Sequence, residues 1–389
     1  MASVIYRQRN KTNNIWSYEI RDKGKTLLTK SGFKTKKDAQ IDAEPILQKI
    51  RTGTSLNRDM TLPQLYQKWF NLKIKSSNRS NETLRKYQYK LDKINELFGD
   101  KKIIDIKHSD YQLAMNKLGE KLGKNLLGRI NSDIKKCIQL AIADRLMIDD
   151  FTINVELHSQ KIKQAKDEKY IHSEQHYQKI LKELKEKMDY KKSISPFILY
   201  FLFKTGMRYG ELVALTWKEI DYKNQLIYTY RRFNTTRVWD FVPPKNETSI
   251  RYIPIDEYDV RILKNLKQQQ QYYFQSLGLS NSNNFVFAHY GLKSILPSVA
   301  TINKALKLLL EQLHISPIIT TKGARHTYGS ILLSKGFNMY VIAKIMGHKD
   351  ISMLIEVYGH AIQETTDKQF ISIKQGILEK VANDVSNRV

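Results

Sequence analysis

The sequence is poor in cysteine and in acidic residues: it holds one cysteine, Cys137, and 39 Asp and Glu against 65 Lys and Arg. A single cysteine forms no internal disulfide and builds no cysteine-based zinc site. Ile134, Ile138 and Ala141 share its helical face, so Cys137 reads as core filler. No stretch approaches the roughly 18 consecutive apolar residues that would span a membrane. The opening MASVIYRQRN lacks the apolar centre of a signal peptide. No basic amphipathic helix or lipidation motif stands out, so no membrane partner and a cytoplasmic location are expected. Several catalytic signatures are missing too: there is no P-loop, GxGxxG, HExxH or GxSxG. The carboxylates form no obvious metal-binding cluster, which disfavours two-metal nucleases and polymerases. No metal and no cofactor are expected. Chemistry on a phosphodiester would have to draw its electrostatics from cationic side chains.

Cations are plentiful. The net charge is +26, divided as +7 over residues 1–60, +8 over 61–169 and +11 over 170–389. An excess spread along the whole chain suits a polyanion contacted along its length, with DNA or RNA the obvious candidate.

A chain of 389 residues with 41% hydrophobic content is long enough for two or three domains. Residues 1–55 begin with strand patterns at 4–8, 15–20 and 26–30, with a glycine turn in RDKGK. A capping box at Thr35–Asp38 then opens a helix to about Ile50. Arg7, Arg9, Arg21, Lys23, Lys25 and Lys30 make this small module a candidate for laying a sheet on DNA. A plain domain with a solvated basic face is the alternative. After the polar linker RTGTSLNRDM, Thr61 caps a helix with Leu62, Leu65, Tyr66, Trp69 and Phe70 on one face. A second helix runs to Phe98 and Gly99, and two more are expected near 110–121 and 125–147. Residues 61–159 read as an all-helical bundle with an aromatic core. QKIKQAKDEK is a charged linker. Residues 170–389 read as a mostly α unit with a small antiparallel sheet. Its helices are predicted near 174–188, 196–204, just after Gly206, 257–276, 298–313, 322–335 and 339–346. A short helix around Tyr358 and a last one near 364–382 follow, and strands fall near 226–231, 238–242 and 250–255. The fold class is therefore α+β and multidomain.

Three stretches of the last unit carry chemistry. In TGMRYGELVALTW, Gly206 ends a helix and Arg208 opens the next, with Glu211 one turn on. A guanidinium held there can grip two phosphate oxygens at once; viewed alone, the pair is equally an ordinary i, i+3 surface contact. In TTKGARHTYGSILLSKG, Lys322 and Arg325 share a face and Ile331, Leu332 and Leu333 supply packing. In IAKIMGHKDISMLIEVYGH, Gly347 stops a helix, His348 sits at the break and Tyr358 follows ten residues later.

In this order and combination the stretches resemble the tyrosine recombinase family, specifically integrases of phages and integrative elements of Gram-positive bacteria. The resemblance spans essentially the whole chain. It implies an arm-type DNA-binding domain at 1–55, a SAM-like core-binding domain at 61–159 and a catalytic domain at 170–389. It matches Arg208 and Arg325 to the two catalytic arginines, Glu211 to the acidic residue supporting the first, and His348 to the histidine before the nucleophile. Lys245, in PPKNETSIRYIPI, matches the β-hairpin lysine, and Tyr358 the nucleophile. Lys322 is a departure, because the family usually has His three residues before the second arginine. A lysine can contact phosphate, but as a base it would need a strongly lowered pKa. His326 is expected to be structural.

The resemblance implies cutting and rejoining of double-stranded DNA at attachment sites through a 3′-phosphotyrosyl link. A homo-tetramer on DNA and accessory partners such as an excision factor or DNA-bending protein would go with it. Two other readings stay open on sequence: a type IB topoisomerase-like nicking and religating enzyme, and a DNA-binding regulator with a decayed site.

Overall fold

The computed structural model describes residues 2–10, 15–22, 24–51, 59–146, 148–161, 167–352, 354–355 and 374–375. The chain divides into two compact units, Met1–Lys163 and Gln164–Val389.

The first unit contains two hydrophobic clusters. In the N-terminal one, β1 (Ser3–Asn10), β2 (Ile15–Asp22) and β3 (Lys25–Phe33) form an antiparallel sheet in that order. Gly24 makes the β2–β3 turn at φ +80°. The capping box is present: Asp38 N donates to Thr35 Oγ1 at 3.1 Å and Thr35 N to Asp38 Oδ2 at 3.2 Å. It opens α1 (Lys36–Arg51). Ala39, Ala43 and Leu47 of α1 pack on Tyr18, Ile20 and Leu28.

The second cluster is the helical bundle, α2 (Leu62–Trp69), α3 (Asn81–Phe98), α4 (His108–Lys121) and α5 (Lys124–Ala143). Thr61 caps α2 as expected, and the stripe Leu62, Leu65, Tyr66, Trp69 and Phe70 is buried, as is Cys137. α5 ends four residues short of the predicted 147. Arg145 adopts φ +57° and Leu146 N donates to Ala141 O at 2.9 Å, closing the helix with the six-to-one bond of a Schellman cap.

The second unit carries α6 (Glu174–Glu186), α7 (Ser195–Thr205) and α8 (Tyr209–Leu212). The strands follow: β4 (Ile220–Asp221), β5 (Leu226–Thr229), β6 (Arg232–Asn234), β7 (Asp240–Val242) and β8 (Arg251–Pro254). Then come α9 (Glu257–Ser276), α10 (Val299–Gln312), α11 (Thr321–Ser334) and α12 (Met339–Met346). The almost wholly buried α7 runs through the main core. Two details differ from expectation. α8 is a single turn, because the backbone beyond it turns to the 284–286 segment: Val286 N donates to Leu215 O and Trp217 N to Asn284 O. The strands also form two sheets rather than one, β4-β5-β8 and a β6-β7 ribbon. The predicted 226–231 strand breaks after Thr229, where Arg231 swings to Glu219 at 3.3 Å and over the Phe241 ring. The predicted helices around Tyr358 and near 364–382 lie outside the described residues, apart from Leu354–Ile355 and Lys374–Gln375, which are helical.

Candidate active site

The site is built from the ends of elements. α7 ends at Gly206 in the left-handed conformation, φ +60°. A Cβ there would lie 2.3 Å from Tyr328 Cδ1, so the turn sits directly against α11. Its carbonyl accepts from Arg325 Nη1 at 2.7 Å. Arg208, two residues on, is the N-cap of α8 and Glu211 its third residue. Glu211 Oε2 accepts from the Arg208 backbone N–H at 3.1 Å, and Oε1 from Arg208 Nη1 at 2.7 Å.

Glu211 is only 3% exposed and has a second cation. Arg251, the first residue of β8, donates Nη2 to Glu211 Oε2 at 3.0 Å. Burial pushes the Glu211 carboxyl upward, but Arg251 and Arg208 outweigh it and hold the group below the usual carboxylate range. The i, i+3 pair is thus no surface contact. It is half of an Arg–Glu–Arg bridge in which Glu211 and Arg251 are buried and Arg208 is half-buried.

All three arginines meet the end of α12. Arg251 Nε donates to Ile345 O at 2.5 Å, Arg325 Nη2 to Met346 O, and Arg208 Nη2 to Gly347 O at 3.1 Å. The last carbonyls of a helix lack intrahelical partners and carry its negative dipole end, so guanidinium groups suit them. Gly347 closes α12 at φ +63°, with Gly347 N bonded to Lys344 O and His348 N to Ala343 O, a complete Schellman motif. His348 therefore leaves the helix at a fixed point. Its ring is buried, and Nδ1 has no hydrogen-bond partner among the described residues. Burial, with Arg325 and Arg208 nearby, pushes its pKa down to about 3, so the ring is neutral at physiological pH. Burial, then Lys322 and Arg325, pushes His326 down to about 4.

Arg208, Glu211, Arg325 and His348 are thus brought together. Lys322 stands exposed in the first turn of α11, one turn before Arg325. Lys245 is exposed in the segment after β7. Its neighbour Asn246 accepts from Ser249 Oγ at 2.5 Å, and Ser249 Oγ accepts from Arg208 Nη1 at 3.3 Å. Tyr358 lies outside the described residues. In the N-terminal module Arg7 and Arg21 face Glu19 at 3.7 and 2.9 Å, and Lys30 faces Asp42 at 2.6 Å. Arg7, Lys25 and Lys30 are exposed, Arg21 is half-buried, Arg9 lies in β1, and Lys23 is outside the described residues. Among the described residues no group of three or more His, Cys, Asp or Glu is placed to hold a metal ion. No helix among them is long and apolar enough to cross a membrane.

Arg251 and Ser249 also belong to this site; the ending Ser249-Ile-Arg251-x-Ile-Pro is part of the resemblance, but neither residue is assigned a role by it. A signal for Arg251 was present: in RYIP the alternation puts Arg251 and Ile253 on one inward face, an arginine where a core residue is due.

A cluster of arginines beside a neutral histidine, set at helix ends, is chemically suited to holding an anionic group. Residues 169–365 match the phage integrase family, and residues 61–119 match the phage integrase N-terminal SAM-like domain. The chain belongs to the phage integrase family. Its curated relatives include a tyrosine recombinase XerC-like protein of Caldanaerobacter subterraneus subsp. tengcongensis, 26% identical over 361 residues, covering 88% of this chain and 90% of that one. The transposase from transposon Tn916 of Enterococcus faecalis is 26% identical over 343 residues, covering 84% and 79%. Among solved structures, the Tn1549 transposon integrase in complex with transposon right end DNA superposes with a TM-score of 0.64 at 20% identity, covering 81% of this chain and 100% of that one. A lambda integrase tetramer bound to a Holliday junction has the same fold at a TM-score of 0.54 and 15% identity, covering 90% and 96%. The protein is a tyrosine recombinase, an enzyme of site-specific DNA recombination in mobile elements.

Proposed function

We propose that this recombinase binds double-stranded attachment-site DNA and cuts it with Tyr358, and that Arg208 and Arg325 hold the scissile phosphate. The observation that carries the reading is the convergence of their guanidinium groups on Met346 and Gly347, immediately before His348, which itself precedes Tyr358 by ten residues. A phenol with a pKa near 10 is a weak nucleophile unaided. Two guanidinium groups around the phosphate stabilise the charge that develops on its oxygens and favour the phenolate; one preorganised donor is worth roughly 3 kcal/mol in such a transition state.

Tyr358 loses its phenol proton to solvent, its Oη attacks phosphorus, the bond to the 5′ oxygen breaks, and a 3′-phosphotyrosine remains. Lys245 protonates the departing 5′ oxygen as general acid. His348, neutral, hydrogen-bonds a phosphate oxygen through a ring N–H. Lys322 contributes charge at the edge of the site. Attack on the phosphotyrosine by a 5′-hydroxyl of another strand restores the phosphodiester, so the bond energy is conserved through the covalent link. Glu211 keeps Arg208 in place.

Residues 61–159 and 170–389 would clamp the core site, with 1–55 on a separate arm site, raising local concentration as tethered modules do. Strand exchange would then use a homo-tetramer on DNA in the bacterial cytoplasm, with an excision factor or DNA-bending protein setting direction. The test is recombination between two duplexes carrying the ends and the target junction of the element that encodes the protein. Joint molecules support the reading. Covalent cleavage without joint molecules would leave only nicking and religation.

A further inference from the structure

We propose that Arg251, outside the phosphate-binding pair, is the positioning residue that locks the active-site arginine and the His348 end of α12 into one unit. The inference rests on the catalytic reading above and extends it to a residue that need not touch the phosphate.

Arg251 is 4% exposed as a side chain, and its Nε, Nη1 and Nη2 are already engaged by Ile345, Ser249 and Glu211. All three of its guanidinium nitrogens are held by protein oxygens. Nη2 holds Glu211 Oε2 at 3.0 Å, Nη1 holds Ser249 O at 2.9 Å, and Nε holds Ile345 O at 2.5 Å. One planar group thereby ties three elements: α8 through Glu211, its own turn through Ser249, and the end of α12 through Ile345. The fixed fork of a guanidinium can do this; an ammonium on a flexible stem cannot match it.

Gly347 supplies an independent observation. A Cβ on it would lie 3.0 Å from Arg251 Nη1 and 2.8 Å from Thr248 O. The turn that launches His348 is thus packed directly on the Arg251 guanidinium. Arg208 differs in kind. Arg208 is 27% exposed as a side chain and holds Gly347 O at the longer 3.1 Å, so it can turn toward a ligand. When a phosphate draws on Arg208, Arg251 still fixes Glu211 and α12. Misplacing a reacting group by about 1 Å costs on the order of 100-fold in rate, so this clamp sets the geometry of the chemistry without entering it.

The test uses the full chain with Arg251→Met and Arg251→Lys, and two readouts. The first is single-turnover formation of the covalent adduct on a nicked attachment-site duplex, with duplex affinity measured alongside. Arg251→Met is expected to slow adduct formation about 100-fold while affinity changes no more than about twofold, and Arg251→Lys to recover part of the rate. Adduct formation at the unaltered rate, or equal losses in rate and affinity, would overturn the proposal. The second readout, hydrogen exchange of the peptide spanning 340–349, needs no catalysis. Arg251→Met is expected to speed exchange there while α6 and α10 stay protected; unchanged exchange overturns the clamp. If the unaltered protein forms no adduct, the catalytic reading fails, and the exchange experiment still decides the clamp. If Arg251→Met does not fold, Arg251→Lys, which keeps the charge but not the fork, decides by the same criteria.

Discussion

Glu211 holds two arginines with its two carboxylate oxygens, Arg208 through Oε1 at 2.7 Å and Arg251 through Oε2 at 3.0 Å. The carboxylate is ionised because the two guanidinium charges outweigh the burial that would otherwise raise its pKa. Removing it strands Arg251 in the interior with an unbalanced charge. Glu211→Ala is therefore expected to destabilise the catalytic unit by about 3–5 kcal/mol. Glu211→Gln keeps the shape and part of the hydrogen bonding and should cost less. Thermal melting of the two variants, followed by a probe in the catalytic unit, checks the order.

Two glycines with left-handed backbones provide a matched comparison. Gly347 has φ +63° and no room for a Cβ, whereas Gly24 has φ +80° and nothing within 4 Å. Gly24→Ala should cost about 1 kcal/mol, the backbone penalty alone. Gly347→Ala adds a clash with Thr248 O and Arg251, so it should cost about 1–3 kcal/mol more and also slow adduct formation. Equal effects on stability and none on rate would contradict the packing described.

His348 and His326 make stability depend on pH in a defined direction. Both are held neutral in the fold, with pKa values pushed from 6.5 to about 3 and about 4. Below 6.5 the unfolded chain takes up protons that the folded chain refuses, so unfolding gains. Their contribution is complete above pH 6.5 and is lost as pH falls toward 4 and then 3. His348→Gln is expected to flatten the dependence of the melting temperature on pH between 6.5 and 4. A slope unchanged in the variant would remove His348 from this role.

Much of this was legible in the sequence because it is locally encoded. The bounds of α9 and α12 follow from their caps, Asp256 with Asp259 at one start and Gly347 at the other end. Arg208, Glu211, Arg325 and His348 could be chosen in advance because the stretches that carry them, taken together and in order, resemble a family pattern that no one stretch shows alone. For Arg251 the neighbours give only the inward side of the strand; its partner at the end of α12 becomes visible only when α12 comes down on β8. α8 stops after one turn for the same kind of reason: the 284–286 segment, some seventy residues on, captures its continuation. In the N-terminal module Arg7, Arg21 and Lys30 read simply as cations. The carboxylates of Glu19 and Asp42 opposite them become visible only once strand register and the seat of α1 are known. Pairs so exposed are worth at most about 1 kcal/mol, so these side chains remain available to a polyanion.

By the resemblance, Lys322 stands where the family usually has a histidine. From its exposed position one turn before Arg325 it is expected to add charge rather than to act as an indispensable base. Lys322→His should retain recombination and Lys322→Ala should lose part of it. Full activity in the alanine variant, measured on the same attachment-site duplexes, would remove Lys322 from the site.

The central claim is that the clustered arginines exist to drive attack by one tyrosine among the 22 in the chain. The most direct measurement is to trap the protein on a nicked attachment-site duplex, digest the SDS-stable adduct and locate the nucleotide by mass spectrometry. A 3′-phosphate on Tyr358 and no adduct from Tyr358→Phe are expected. An adduct on any other residue, or an undiminished adduct from Tyr358→Phe, would contradict it.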